Sequence, residues 1–351
     1  MAGRFQTLDE PYLLRRTDPT IRRGRGCMAN LETKTQTFVF LMTENYSLLS
    51  YACAVEPLRL ANWAMGEELY RWRLCADGGE VAECSNGQKT LVDMGFEELS
   101  RDDVLMICSG VDVKGATTKN LLQYLRREAR RGIVIGGLCN ATYIMARAGL
   151  LDGKRCTIHW DNRDSFLEDF PDINLSQAIY TIDGNRYSSA GGSASADLML
   201  KLISDRHGQE LANRVADQMI YTTVRTDREE QRLSIPTRIG VRHPKLATVI
   251  RMMEEHIEEP VSPSLLATDV GMSTRQLERL FRRYVNRSPK RYYMELRLQK
   301  AKNLLMQTDM TVINVALACG FTSPSHFSKC YRSHFSTTPY RERGTQGAEL
   351  A

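Results

Sequence analysis

A cysteine at the end of an apolar run is the strongest candidate for chemistry in this chain. The segment GLCNA at 137–141 joins a strand-like run at 132–138 to a helical pattern at 140–149. This order of strand, sharp turn and helix resembles a nucleophile elbow, with Cys139 at the nucleophile position and Ala in place of the last Gly. Because a thiol at a helix N-terminus tends to ionise more easily, we expect a lowered pKa for Cys139.

A histidine and a tryptophan later in the chain could complete a site with this thiol. The run CTIHWDN places His159 and Trp160 after a second strand, about twenty residues later. With Cys139 as nucleophile and His159 as base, an acid that orients them would allow covalent catalysis. The same residues could instead line a ligand crevice, and a buried structural thiol and a strand-end histidine are equally open alternatives.

The run SSAGGSASADLML at 188–200 offers a place for an anion. Two glycines followed by Ser193 at the start of a helix resemble an anion nest, although a simple turn and cap would use the same residues. An aromatic face such as Trp160 binds quaternary ammonium groups by cation–π attraction. A betaine-like or amino-acid-like ligand would suit both features, and we expect Trp63 and Trp72 to pack in the core. The candidate ligand-binding residues are Cys139, Asn140, His159, Trp160, Gly191, Gly192 and Ser193.

Alternating elements must position these residues. Apolar runs typical of strands lie at 37–42, 70–76, 103–110 and 132–138, and helical periodicity lies at 47–62, 119–131, 140–149 and 195–206. Strands that alternate with helices predict a parallel sheet covered on both faces. The expected fold is a flavodoxin-like α/β sandwich whose crevice lies at the carboxyl ends of the strands.

A second kind of chemistry is indicated by a repeat near the end of the chain. An Ala lies four residues before a Gly in both copies, at Ala267/Gly271 and at Ala316/Gly320. After Ser273 the copies match at a constant offset of 50, as in Ser273/Ser323, Leu277/Phe327, Arg279/Lys329, Phe281/Tyr331, Arg282/Arg332 and Pro289/Pro339. Such a repeat predicts one helix-turn-helix unit used twice, and two units can read adjacent major-groove segments.

Local signals give the bounds of these units. Gly271 and Gly320 stand where a tight turn needs positive φ. Ser273 with Gln276 predicts a capping box, and Ser323 is followed by a proline at the first helical position. We expect one long helix from Lys290 to Gln307 to fix the spacing of the two units. The predicted organisation is a disordered tail at 1–35, an α/β ligand-sensing domain at 36–234 closed by a helix at 209–232, an all-α domain at 235–343 with units at 262–289 and 311–339, and a tail at 344–351.

The distribution of charge separates the two parts of the chain, and the cysteines indicate the environment of the whole chain. Residues 235–351 carry 18 Lys and Arg against 10 Asp and Glu, whereas residues 1–234 carry 29 against 32. The basic excess in the second part is the electrostatic footprint that nucleic acid requires. Nine cysteines without a C-x-x-C pair argue against disulfides and a zinc site, so we expect reduced thiols, a cytoplasmic protein, no metal and no cofactor. Without a signal sequence or about 18 consecutive apolar residues, no membrane span is expected.

The C-terminal motifs carry a family resemblance. LATDVGMSTRQLERLFRRY and VALACGFTSPSHFSKCYRSHF…TTP resemble both signatures of the AraC/XylS-type DNA-binding domain, over about residues 245–343. The resemblance implies base contacts from Arg275, Glu278, Arg279, Ser325, Ser328 and Lys329. Phosphate contacts, which position the protein without reading sequence, would come from Arg282, Arg283 and Arg332.

The N-terminal motifs resemble the class I glutamine-amidotransferase-like fold of the PfpI/ThiJ type, over about residues 36–205. Active members of that family also use a Glu from the first βα segment, where this chain has Ser50, with Glu44 and Glu56 as the nearest acids. This departure favours a sensor over an enzyme, so we expect no catalytic residue. AVEPLRLAN at 54–62 and ELYRWRL at 68–74 further resemble regulators of glycine betaine, carnitine or arginine catabolism.

Together these features predict a sequence-specific, DNA-binding transcriptional activator of catabolic genes. Its expected partners are double-stranded DNA, RNA polymerase, a second copy of the chain and a small metabolite such as glycine betaine, a related quaternary amine or an amino acid. The alternative is a Cys139-dependent hydrolase, amidase or redox sensor fused to a DNA-binding domain.

Overall fold

The computed structural model of the protein describes residues 34–232, 235–238, 240 and 243–344. The tails predicted at 1–35 and 344–351 fall almost entirely outside the described residues. None of the described helices is both long enough and apolar enough to span a membrane.

The N-terminal part is built on a six-stranded sheet. The strands are β1 Gln36–Met42, β2 Tyr70–Cys75, β3 Val81–Glu83, β4 Lys89–Leu91, β5 Val104–Cys108, β6 Val134–Leu138, β7 Arg155–Cys156, β8 Asn174–Leu175, β9 Tyr180–Asp183 and β10 Arg186–Ser189. The main sheet has the order β2-β1-β5-β6-β10-β9, and all of its pairs are parallel except β9 with β10. The carboxyl ends of β1, β5, β6 and β10 therefore share one edge, as the sequence predicted.

Helices cover both faces of this sheet. They are α1 Leu48–Met65, α2 Lys119–Arg130, α3 Ala141–Arg147, α4 Arg163–Asp169, α5 Ala194–His207 and α6 Gln209–Gln218, with a 3-10 turn at Trp160–Asn162. Along β1, Phe38 and Phe40 enter the core under α1, α5 and α6, whereas Val39 and Leu41 enter the core under α2, α3 and α4. A strand buried on both faces needs this continuous apolar run, because successive side chains point to opposite faces.

The C-terminal part is all helical. Its helices are α7 Ile235–Arg238, α8 Pro244–Glu255, α9 Pro263–Asp269, α10 Thr274–Val285, α11 Pro289–Gln307, α12 Val312–Ala318, α13 Pro324–Phe335 and α14 Pro339–Gly344. One core lies among α8, α9 and α10, and another lies among α11, α12 and α13. Helix α11 contributes Tyr293 to the first core and Leu304 to the second, so it joins the two helix-turn-helix units as expected.

Two expectations about the N-terminal part are wrong. The helix predicted at 209–232 ends at Gln218, because Ile220 adopts a left-handed φ of 54° and the chain then continues without helix as a connector, residues 219–232. The expectation that Trp63 packs in the core is also wrong, because this residue is 63% exposed near the end of α1. Trp72 is half-buried on the edge strand β2 and packs against the core beneath α1, α5 and α6.

Candidate nucleic-acid interface and effector crevice

Both reading helices begin as their sequences predicted. Ser273 Oγ accepts a hydrogen bond from Gln276 N at 3.2 Å, and Gln276 Oε1 accepts one from Ser273 N at 2.8 Å, which is a complete capping box. Ser323 Oγ accepts a hydrogen bond from His326 N at 3.3 Å at the start of α13. Gly271 and Gly320 have φ of 63° and 73° in the preceding turns. Local backbone chemistry therefore fixes how each reading helix follows its partner.

The outer faces of α10 and α13 are free to contact a ligand. Of the candidate DNA contacts, Ser328 is half-buried and the other eight are exposed, namely Arg275, Glu278, Arg279, Arg282, Arg283, Ser325, Lys329 and Arg332. Within the described residues, the side chains of Arg275, Arg279 and Lys329 have no hydrogen bond or ion pair. The guanidinium of Arg283 lies 5.3 Å from the Tyr284 ring centroid. Unpaired cations on the exposed faces of two helices match the polyanionic backbone of DNA.

Helix α11 is tied to both units by hydrogen bonds that the sequence did not reveal. Tyr293 Oη donates to His256 O at 2.5 Å, in the link between α8 and α9. Arg297 Nε and Nη2 donate to the carbonyls of Cys319 and Gly320, both at 2.7 Å. An arginine within a helix rich in Lys and Arg looks like a solvated residue, so no sequence signal identified Arg297.

The candidate effector site, which we call the crevice, is the edge of the sheet where the carboxyl ends of the parallel strands meet. Cys139 follows β6 with a φ of 61°, the strained backbone of an elbow. The loop after β10 packs directly on it, since a Cβ added to Gly191 would lie 2.6 Å from Cys139 Cβ and 2.9 Å from Ser50 Oγ. Gly192 N donates to Ser50 Oγ at 2.8 Å, and Gly191 N donates to Ser189 Oγ at 3.2 Å. Serine hydroxyls therefore already occupy the donors of the predicted anion nest.

Two buried polar atoms on the crevice floor lack a protein partner. Asn140 is 2% exposed, and its Nδ2 donates to Gly110 O at 2.9 Å while its Oδ1 accepts no hydrogen bond within the described residues. Ser109 is fully buried, and its Oγ is likewise unpaired there. Because an unpaired buried polar group is costly, such atoms indicate a place for water or a ligand. The sequence singled out Asn140 but missed Ser109.

The expectation of a lowered Cys139 pKa is wrong. Burial raises the pKa of the Cys139 thiol to about 11, and hydrogen bonds from the Asn140 backbone and from Ser50 offset only part of that rise. Burial also lowers the pKa of His159, with Asp161 acting in the opposite direction. Within the described residues no hydrogen bond joins His159 to Cys139, because His159 Nδ1 instead accepts from Asp161 N at 3.3 Å. A thiol and a neutral imidazole do not form the thiolate–imidazolium pair of a cysteine nucleophile.

Trp160, which we assign to the rim of the crevice, has its ring centroid 5.5 Å from that of His159. The residue is 43% exposed. Its ring is not free, because the Arg232 guanidinium lies 4.7 Å from the centroid. Arg232 belongs to the connector, so the connector reaches the crevice, and sequence reasoning did not foresee this contact.

The connector is anchored along the crevice by two further contacts. Arg225 pairs with the fully buried Asp197 at 2.7 Å and donates to Ser193 Oγ at 2.8 Å. Gln231 Nε2 donates to Thr157 Oγ1 at 2.9 Å and to Ile158 O at 2.8 Å, immediately before His159. The connector thus links one candidate ligand-binding loop to the other.

Comparisons with known proteins agree with both halves of this picture. The helix-turn-helix domain family matches residues 266–344, and the DJ-1/PfpI family matches residues 47–205. The HTH-type transcriptional regulator CdhR of Pseudomonas aeruginosa is 44% identical over 310 residues, which cover 88% of this chain and 92% of that protein. The HTH-type transcriptional regulator GbdR of the same species is 41% identical over 311 residues, which cover 89% of this chain and 85% of that protein.

A solved structure of an AraC family transcriptional regulator from Pseudomonas putida is 27% identical. It covers 53% of this chain and 99% of its own, with a TM-score of 0.47. The relatives from Pseudomonas aeruginosa match almost the whole chain, and both family resemblances drawn from the sequence motifs are confirmed. The chain belongs to the AraC family of HTH-type transcriptional regulators that carry an N-terminal DJ-1/PfpI domain.

Proposed function

We propose that the protein is an effector-controlled transcriptional activator of catabolic genes. The observation that carries this proposal is the presence, in one chain, of two capped reading helices with unpaired basic faces and a crevice with unpaired buried polar atoms. The sensing domain would span 36–234 and the DNA-binding domain 235–343. The protein would act in the cytoplasm as a homodimer that binds double-stranded DNA and recruits RNA polymerase.

The DNA contacts divide by role. Arg275, Glu278 and Arg279 on α10 and Ser325, Ser328 and Lys329 on α13 would read base edges. Arg282, Arg283 and Arg332 would hold phosphates, because they lie farther from the helix N-termini that enter the groove.

Arg275→Ala should cost roughly 1–3 kcal/mol of binding free energy and relax specificity at one base pair, whereas Arg282→Ala should weaken binding to all sequences alike and reduce the salt slope by about 1. Fluorescence anisotropy with specific and random duplexes separates the two outcomes.

The effector is proposed to be a small metabolite such as glycine betaine, a related quaternary amine or an amino acid. The Trp160 ring supports a cationic group, since it already accepts a guanidinium. The unpaired Asn140 Oδ1 and Ser109 Oγ support polar groups at the floor. Cys139, His159 and the Gly191–Ser193 loop would complete the wall.

Chemistry at Cys139 is the competing proposal. The raised pKa of its thiol and the serine at the expected Glu position both favour a sensing role. Cys139→Ser keeps the size and a hydrogen-bonding group but removes the nucleophile. We expect this variant to keep its effector response, and a complete loss of response with unchanged effector binding would favour the hydrolase or redox alternative.

The first experiment is a tryptophan fluorescence titration of the whole protein with betaines, carnitine and basic amino acids. All three tryptophans lie in the N-terminal part, so the signal reports that part alone. A saturable change with one compound would identify the effector. Isothermal calorimetry on the same panel is the check, and heat from arginine with none from betaines would contradict a quaternary amine.

A further inference from the structure

Arg232 is in contact with both parts of the molecule. Its guanidinium lies 4.7 Å from the Trp160 ring centroid on the crevice rim, and its Nη1 lies 3.7 Å from Glu254 Oε1 on α8. The resulting chain of contacts, Trp160–Arg232–Glu254, connects the crevice to the first helix-turn-helix unit. We call it the arginine bridge.

The position of this bridge is held by its neighbour. Gln231 donates hydrogen bonds to Thr157 and Ile158, so the backbone that carries Arg232 is fixed beside the residues that precede His159. Arg232 itself is exposed, and a side chain with many rotamers can leave an exposed aromatic face without disturbing a core. The contact with Trp160 is therefore reversible, although the connector is anchored.

The segment just after Trp160 is hydrogen-bonded to α11, the helix between the two helix-turn-helix units. Asn303 Nδ2 donates to Asp161 Oδ1 at 2.7 Å, and Ser165 Oγ donates to Gln307 Oε1 at 2.9 Å. Both partners lie on α11, the helix that is hydrogen-bonded to both units. A shift of residues 160–169, which follow His159, would therefore reach both reading helices through one element.

We propose that Arg232 is an internal occupant of the Trp160 ring face and that the cationic group of the effector competes with it. The inference rests on the proposed function, whose effector site it regulates. A cation that binds the Trp160 ring face displaces Arg232 and so breaks the arginine bridge. Trp160 is then no longer connected through Arg232 to Glu254 on α8. Linkage makes the effect reciprocal, so the bridge lowers effector affinity by the factor by which the effector weakens the bridge.

The test compares two arginines that share Glu254. Arg238 pairs with Glu254 at 3.0 Å but does not contact Trp160, so R238Q is the matched control for R232Q. The probe is tetramethylammonium, titrated into the full chain and followed by tryptophan fluorescence. We expect R232Q to bind the probe about fivefold more tightly than the wild type, because a competing cation–π contact is gone. R238Q should bind like the wild type, and W160L should lose the response.

The second readout is DNA binding to a site selected from a random library by the wild-type protein. R232Q should reach, without effector, the affinity that the wild type shows with effector. Equal probe affinity in wild type and R232Q, or unchanged effector dependence of DNA binding in R232Q, overturns the inference. If none of the proteins selects a DNA site while R232Q still binds the probe more tightly, the proposed function fails and the competition at Trp160 stands.

Discussion

Two physical effects change the pKa of the Cys139 thiol in opposite directions. The start of α3 favours a thiolate, but this helix has only seven residues and its field is correspondingly weak. Burial of the thiol disfavours the charged form, and this effect is the larger one. Cys139 therefore keeps the positive φ of an elbow although its thiol stays protonated. A strained backbone at this position can orient a side chain for ligand binding as well as for nucleophilic attack.

The first prediction concerns the reactivity of this thiol. With a pKa of about 11, the thiolate fraction of Cys139 at pH 7 is about 10⁻⁴. Since only the thiolate reacts, alkylation by iodoacetamide should be slow at pH 7 and rise about tenfold per pH unit up to about pH 10. Peptide mass spectrometry measures the rate at Cys139 separately from other cysteines. Ser50→Ala should slow the reaction further, and a plateau in rate near pH 7 would show that the thiol is activated.

At the scale of elements, the two turn glycines have equivalent sequence positions but different surroundings. An added Cβ at Gly271 would meet only Lys245 Nζ, at 3.9 Å. An added Cβ at Gly320 would lie 2.6 Å from Ile257 O and 2.8 Å from Glu258 O, in the link between α8 and α9. The turn of the second unit therefore packs against the backbone of the first, so Gly320 also maintains the contact between units.

The second prediction follows from this difference. Gly271→Ala should cost about 1 kcal/mol, because alanine tolerates positive φ at that expense. Gly320→Ala adds a steric clash with backbone atoms, so its cost should reach about 3 kcal/mol. Circular dichroism at 222 nm during thermal unfolding of the full chain measures both. Equal shifts in Tm for the two variants would mean that the units do not pack closely at this turn.

Sequence reasoning succeeded where neighbours along the chain decide the structure. The capping box at Ser273, the cap at Ser323 and the positive φ of both turn glycines depend on residues only a few positions apart. It failed where distant residues meet. No local sequence signal marks the hydrogen bond from Arg297 to the turn of the second unit or the contact of Arg232 with the Trp160 ring. The pKa of Cys139 likewise depends on burial by segments that are far apart in sequence. These are tertiary effects that periodicity and capping rules do not contain.

At the scale of the whole molecule, the two readers form a rigid pair. Helix α11 has 19 residues, which span about 28 Å, a little less than one turn of B-DNA. Tyr293 fixes it to the first unit and Arg297 to the second. Packing of Gly320 on the first unit removes the remaining freedom between them.

The third prediction is that one protein chain tolerates no change in the distance between its two DNA half-sites. Inserting about 5 bp would turn the second half-site to the opposite face of the duplex, and inserting about 10 bp would restore the face but add roughly 34 Å. A flexible linker could span the longer gap, whereas α11 with its hydrogen bonds to both units cannot. Both insertions should therefore reduce affinity to that of a single half-site in anisotropy titrations at fixed salt. Recovery of full affinity with the full-turn insertion would show that the two units move independently.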